Sequence, residues 1–240
     1  MARPDLRRND EMRKVKIIKD FTKHAEGSVL IKIGDTWVLC NATVEDSVPP
    51  HLKGTGTGWV SAEYSMLPRS TNTRNRRDIS KLKMSPRSTE IQRLIGRALR
   101  SVTDLEALGE RSIIIDCDVL QADGGTRCAS ITGGFVALAI ALKKLVDDGT
   151  LRSVPLTGSV SAISTGIYEG EAVLDLCYEE DSKAEVDFNV IMASNGDIIE
   201  IQGTGEERPF SKKEMEKMMS LGKKGVMKLI REQAKIIGEF

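Results

Sequence analysis

The chain is poor in the residues that build many catalytic centres. It has only two histidines, His24 and His51, far apart in sequence. A His-based zinc site or a Ser-His-Asp triad is therefore not expected. Its four cysteines, Cys40, Cys117, Cys128 and Cys177, include no C-x-x-C pair, and three lie in apolar, strand-like runs. They read as reduced, mostly buried thiols of a cytoplasmic protein. No apolar run approaches the ~20 residues of a membrane-crossing helix, so no membrane partner is expected. The opening Met1-Ala2-Arg3-Pro4-Asp5-Leu6-Arg7-Arg8 lacks the apolar core of a secretion signal. Excess charge is missing too. Thirty-five Lys and Arg balance 35 Asp and Glu, which alone points to no nucleic acid.

The balance is uneven along the chain. Arg69, Arg74, Arg76, Arg77, Lys81, Lys83 and Arg87 fall close together, with Asp78 the only acid among them. Such an asymmetry is an electrostatic footprint for a polyanion. The segment 68–84 carries no apolar period and reads as an exposed loop. It has no interleaved aromatics, so it is suited to holding a backbone through phosphates rather than to stacking on bases.

At 240 residues the chain can form one large domain or two intimately packed halves. Residues 13–64 read as strands. Val29-Leu30-Ile31-Lys32-Ile33, Gly34-Asp35 and Trp37-Val38-Leu39-Cys40 spell a hairpin. The cluster Gly54-Thr55-Gly56-Thr57-Gly58 leads into a strand, not a helix. Ile91, Leu94, Ile95, Ala98, Leu99 and Val102 share one helical face, with Arg93, Arg97 and Arg100 opposite. That helix has two candidate starts, a Thr89/Gln92 capping box and Ser85-Pro86. A strand over 112–120 is followed by an apolar helix from about 129 to 147, apolar on every face over Ala137–Leu142 and so expected in the centre. Strands follow at 157–168, 171–178, 184–193 and 197–202, with Asn195-Gly196 as a turn. An amphipathic helix over 211–237 starts at Ser211 with Glu214 as its box partner. A weak echo between Leu30–Asp35 and Val190–Asp197 suggests two related halves.

Gly124-Gly125-Thr126-Arg127 stands between the strand and the apolar helix. Two glycines allow a tight turn with N–H groups aimed inward, and a helix start adds free donors and a positive dipole end. The arginine adds a fork of donors that suits phosphate. The GxxxxGK[ST] pattern is absent, so this is not a P-loop. Arg87 is a second arginine at a second helix start. Tyr178-Glu179-Glu180-Asp181-Ser182-Lys183 reads as an exposed hairpin tip. In the next strand Asp187 and Asn189 share the face opposite Val186, Phe188, Val190 and Met192. Asp181 and Asp187 can hold Mg²⁺ or Mn²⁺, or a carboxylate can manage a proton. Spacing alone favours a solvated turn and a polar outer face.

Long motifs carry a resemblance. Asp116–Arg127, Gly58–Arg69, Glu90–Arg97, Arg3-Pro4-Asp5 and Ala184–Val190 together resemble ribonuclease PH, over essentially the whole chain. The resemblance implies an α+β ribonuclease PH-type fold over residues 1–240, as two related strand-and-helix halves (near 1–110 and 111–240) around one core with central helices. It implies a phosphorolytic 3′→5′ exoribonuclease that trims tRNA precursors and other RNA 3′ ends, rRNA included, and a homohexamer built as a trimer of dimers. Its phosphate site maps onto Arg87, Gly125, Thr126 and Arg127, with Ser130 in addition. Its metal-associated aspartates map onto Asp181 and Asp187, for Mg²⁺ or Mn²⁺, and its tRNA-contacting arginines onto Arg69, Arg74 and Arg77, with Arg76 adjacent. Three positions depart from the family pattern. Pro86 stands where a glycine precedes the arginine, Cys128 where a threonine follows Gly-Thr-Arg, and Leu6 where a glycine is usual.

Inorganic phosphate is thus the expected co-substrate, with nucleoside 5′-diphosphates as products. A catalytically silent RNA-binding subunit of a related exosome-like ring is the alternative, but it predicts loss of site residues that are all present here. A two-metal hydrolase would want a denser carboxylate cluster.

Overall fold

The computed structural model describes residues 3–238, with all their side chains except those of Ile79 and Lys81. Met1 and Ala2 of the opening stretch, and the Lys81 side chain of the basic run, lie outside the described residues. Five strands, β1 (Val15–Lys19), β2 (Gly27–Ile33), β3 (Thr36–Glu45), β4 (Trp59–Met66) and β5 (Ser112–Gln121), form one sheet in the order β1-β2-β3-β5-β4. Gly34-Asp35 closes the expected hairpin, with Ile33 opposite Thr36 and Gly34 at φ +56°. The strand β4 runs parallel to β5. A parallel pair needs a crossover, which is made by α1 (Pro86–Arg100) and the short α2 (Leu105–Leu108).

The apolar stripe of α1 is buried as its spacing predicts. Ile91, Leu94, Ile95 and Leu99 are fully inaccessible, each contributing about 1.5–3 kcal/mol relative to exposure. Of its two candidate starts the chain uses Ser85-Pro86. The Ser85 hydroxyl accepts the Ser88 N–H at 3.0 Å, and Pro86 is the first helical residue, where its fixed φ and missing donor cost nothing.

The central helix is α3 (Thr126–Asp147), starting three residues before the apolar run does. By length and composition it is apolar enough to cross a membrane, which the sequence reading did not anticipate, yet 78% of its most apolar stretch is buried inside the protein. It lies between two sheets. On one side a Cβ added at Gly133 would stand 2.7 Å from Ile31 of β2. On the other lies a four-stranded antiparallel sheet, β6 (Val160–Tyr168), β7 (Glu171–Leu174), β8 (Val186–Ala193) and β9 (Ile198–Gly205), in the order β7-β6-β8-β9. Asn195-Gly196 turns β8 into β9. The outer face of this sheet is covered by the last helix, whose Gly222 and Gly225 lie against Val190 and Ile163. That helix, α5 (Lys212–Ile237) in a count that includes α4 below, starts with the expected Ser211–Glu214 capping box. The layers are therefore sheet, helix, sheet, helix, with one apolar core running through them.

Three sequence expectations shift. The division near residue 110 does not follow the sheets, because β5 pairs with β3 and β4 and the second sheet starts only at Val160. The Asp187/Asn189 face of β8 is not a polar outer face. Asn189 and Ile191 are buried on it, because α3 covers it. Residues 178–181 are no hairpin tip but a helical turn, α4 (Tyr178–Asp181). Its Glu180 is wholly buried and accepts two hydrogen bonds from Arg3, at 2.5 and 2.7 Å.

Candidate active site

Two helix starts meet at one end of α3. The turn into α3 has Gly124 at φ +74° and Gly125, its N-cap, at φ +68°. Both are conformations that only glycine adopts without cost. Gly124 has a second reason: a Cβ there would stand 2.5 Å from the Leu176 carbonyl. Thr126 and Arg127 thereby occupy the first turn of α3, where backbone N–H groups have no partner within the helix. Arg87 occupies the first turn of α1.

Tyr64, on β4, joins the two starts. Its hydroxyl lies 2.8 Å from the Thr126 hydroxyl. Burial raises the phenol pKa, against the Thr126 hydrogen bond and the charges of Arg87 and Arg127. Sequence reading missed Tyr64. It also missed the residues that hold Arg127: Nη1 donates to Gln202 Oε1 at 2.7 Å and to Glu90 Oε1 at 3.1 Å. Gln202 donates in turn to Glu90 and Glu200, and Glu200 accepts a two-pronged bond from Arg97 at 3.0 and 2.9 Å. This network stitches α1, α3 and β9 together around the Arg127 guanidinium.

The carboxylates approach from the second sheet. Asp181 ends α4, and Asp187 faces α3 from β8. Burial raises the pKa of Asp181, while Arg87, Arg127 and Arg13 pull it down. The Asp187 carboxyl is pushed up to about 6, first by burial and then by Asp181, against Arg127 and Arg87. Two arginines and two aspartates from four elements thus act on one another. Asn189 Nδ2 donates to Asp187 Oδ1 at 3.2 Å, and the Cys128 thiol donates to Asn189 Oδ1 at 3.2 Å. Burial pushes the Cys128 thiol up, so it stays protonated as a donor. Cys128 therefore fixes which way the Asn189 amide points, and the amide nitrogen fixes Asp187.

Among the described residues no three His, Cys, Asp or Glu side chains gather as a metal cage. Asp181 and Asp187 fit a looser arrangement. Mg²⁺ and Mn²⁺ favour oxygen, and Mg²⁺ usually takes one or two carboxylates and fills its shell with water and substrate phosphate. The mutual repulsion of these two carboxyls is what such a cation relieves.

The remaining expected residues divide. Gly125 stands at the N-cap as required. Ser130 does not join the site: it is fully buried, and its hydroxyl donates back to the Thr126 carbonyl at 2.9 Å. One turn into α3 is already core. Arg69, Arg74, Arg76 and Arg77 are exposed, and their guanidinium groups make no hydrogen bond within the protein among the described residues. Their loop is anchored beside the site. Ala122 N–H donates to the Ser70 carbonyl at 2.8 Å, and burial raises the pKa of Asp118 on β5 while the charge of Arg77 pulls it down. A short 3₁₀ turn at Asp78–Lys81 interrupts the loop.

Comparison with known proteins agrees with this architecture. Residues 11–144 match the 3′ exoribonuclease family, domain 1, and residues 158–225 match the same family's domain 2. Among solved structures, an Archaeoglobus fulgidus exosome with RNA bound to the active site superposes with a TM-score of 0.82 at 22% identity, covering 96% of this chain and 92% of that one. An archaeal exosome core gives 0.78 at 21% identity, covering 97% and 91%. Rice (Oryza sativa) Rrp46 gives 0.79 at 17% identity, covering 98% and 100%. These likenesses establish the fold, and the matches over both domains settle membership: the chain belongs to the 3′ exoribonuclease family of ribonuclease PH type.

Proposed function

We propose that this protein is a phosphate-dependent 3′→5′ exoribonuclease that trims tRNA precursors and other RNA 3′ ends. The observation that carries the reading is the convergence of Arg87, Thr126 and Arg127 at two helix starts with Asp181 and Asp187. Inorganic phosphate sits on the first-turn N–H groups of α3, Thr126, Arg127 and Arg87. One of its oxygens attacks the last internucleotide phosphorus. The bond to the 3′ oxygen of the penultimate nucleotide breaks, that oxygen takes a proton, and a nucleoside 5′-diphosphate leaves.

Two anions must meet, so the arginines work chiefly by offsetting repulsion and by orientation. Asp181 and Asp187 would hold Mg²⁺ or Mn²⁺, which stabilises charge on the phosphoryl oxygens. A carboxylate at this site is also suited to managing the proton of the departing hydroxyl. The bonds made and broken are alike, so the reaction runs readily in both directions. Arg69, Arg74, Arg76 and Arg77 hold the RNA backbone. The working form is a cytoplasmic homohexamer, a trimer of dimers.

One alternative has support of its own. Arg127 is already engaged by Glu90 and Gln202, and the structural likenesses are to exosome chains, which favours a silent RNA-binding ring subunit. A single assay separates the readings. The protein is incubated with tRNA bearing a 3′ extension, with and without phosphate, and products are identified. Phosphate-dependent release of diphosphates supports the proposal. RNA binding without turnover supports the silent subunit, and monophosphates without added phosphate mean hydrolysis.

A further inference from the structure

The residues that shape the phosphate loop from behind lie outside the set described above. The carbonyl of Asp123 accepts a hydrogen bond from Arg13 Nη1. The carbonyl of Gly124 accepts one from the Thr36 hydroxyl at 2.6 Å and one from Arg13 Nη2 at 3.4 Å. The Asp123 N–H donates to the same Thr36 hydroxyl at 3.0 Å. Thr36 is wholly buried and Arg13 is 7% exposed, so these bonds are sheltered from water and poorly replaced by it.

Arg13 is itself locked. Its backbone N–H donates to Asp175 Oδ2 at 2.8 Å, Nε to the same oxygen at 3.1 Å, and Nη2 to Oδ1 at 2.7 Å. Asp175 is 1% exposed and sits at φ +57°, a conformation that costs a non-glycine residue and persists only where its surroundings fix it. Room for Arg13 is made by the hairpin glycine Gly34, where a Cβ would stand 2.7 Å from Arg13 Cδ. On its other side Asp123 accepts, through Oδ1, the N–H of Tyr178 at 3.1 Å. Tyr178 is the first residue of α4, the turn that ends in Asp181. One buried cation and one hydroxyl therefore tie together the loop that leads to Thr126 and Arg127 and the segment that carries Asp181.

We propose that Arg13 and Thr36 are positioning residues for phosphate: by drawing the Asp123 and Gly124 carbonyls to the rear of the loop, they aim the Gly124 and Gly125 N–H groups at the anion, beside the first turn of α3. A peptide unit is planar, and its C=O and N–H point in opposite directions. Fixing a carbonyl at the back thus presents the next residue's N–H at the front. Without these bonds the two glycines would let the loop sample other orientations. This inference rests on the phosphorolytic reading, since it concerns the seat of the attacking phosphate.

The test uses the full chain. Thr36→Val keeps the shape and removes the hydroxyl's bonds to the Gly124 carbonyl and the Asp123 N–H, together with the one it accepts from Arg13 Nη1 at 3.5 Å. Thr36→Ser keeps the hydroxyl. Arg13→Lys keeps the charge and loses the fork. Binding of inorganic phosphate is measured by calorimetry, alongside KM for phosphate, kcat, RNA affinity and Tm. Thr36→Val is expected to weaken phosphate binding and raise its KM by roughly tenfold to a hundredfold, the scale of a small misplacement at a reacting centre. RNA affinity should stay unchanged, and Thr36→Ser should restore phosphate binding. Arg13→Lys should move phosphate affinity in the same direction as Thr36→Val. A purely structural role would lower Tm without this selective loss. Wild-type phosphate affinity in Thr36→Val overturns the proposal, and should that variant not fold, wild-type phosphate affinity in Arg13→Lys overturns it. A wild-type protein that neither binds phosphate nor releases diphosphates instead overturns the phosphorolytic reading on which it rests.

Discussion

Replacing Asp187 by asparagine should make the protein inactive and, at neutral pH, more stable. The Asp187 carboxyl has an ordinary pKa of 3.8 and is pushed up to about 6 in the folded protein. Burial beneath α3 is the main cause, followed by the neighbouring Asp181. The native state therefore binds this proton more tightly than the unfolded chain does. Stability from this group is fullest below pH 3.8, falls as pH rises toward about 6, and stays low above it. At about 1.4 kcal/mol per pH unit the window is worth about 3 kcal/mol as a ceiling. Partial solvent access reduces that to about 1–3 kcal/mol. Asparagine has the same shape, retains an oxygen to accept the Asn189 bond, and never ionises. Urea unfolding of both proteins, in buffer free of divalent metal, should give a variant more stable by about 1–3 kcal/mol at pH 7.5. The gap should close toward zero near pH 4. Adding Mg²⁺ or Mn²⁺ at pH 7.5 should recover stability in the wild type only, because a ligand of the native state stabilises by mass action. A variant that is no more stable at pH 7.5, or a gap of equal size at both pH values, would show that the Asp187 charge does not burden the fold.

Other perturbations follow from the same geometry. Arg127→Ala should abolish turnover at ordinary phosphate while RNA binding survives, as separate turnover and RNA-binding assays will read; unchanged activity would remove Arg127 from the phosphate seat. Neutralising Arg74 and Arg77 together should weaken tRNA binding and lower the slope of log K against log salt by about one per lost phosphate contact. An unaltered slope would take the loop off the RNA path. Leu6 sits at φ +62° and is 82% exposed, so Leu6→Gly should stabilise the fold by about 1 kcal/mol despite glycine's looser unfolded chain. A lower Tm for that variant would show that the Leu6 backbone carries no strain.

Local patterns were legible in the sequence, and long-range pairings were not. Gly34-Asp35 and Asn195-Gly196 spell their turns because turn chemistry is local. The buried stripe from Ile91 to Leu99 and the Ser211–Glu214 box likewise depend on spacing alone. The glycine loop, Arg87 and the two aspartates could be singled out in the sequence one by one, whereas their convergence is a property of the fold. What failed involves partners far apart in sequence. Glu180 reads as one acid among several, and its burial depends on Arg3, 177 residues away. Asp175 carried a usable signal, as a lone acid inside Val173-Leu174-Asp175-Leu176-Cys177. Such a residue needs a buried partner, but nothing in the sequence names Arg13. Ser130 misled because it lies four residues after Thr126, on the same side of α3, at a depth where the helix is already enclosed by both sheets. Pro86 and Cys128 are accommodated locally: proline suits the first position of α1, and the thiol donates to Asn189.

Free phosphate as the attacking reagent is the step on which the proposed function turns. It is tested most directly by supplying orthophosphate labelled with ³²P to the protein with an unlabelled tRNA precursor and Mg²⁺. Phosphorolysis yields nucleoside 5′-diphosphates labelled only in the β-phosphate, because the α-phosphate comes from the RNA. Unlabelled monophosphates, or RNA bound and left intact, would contradict it.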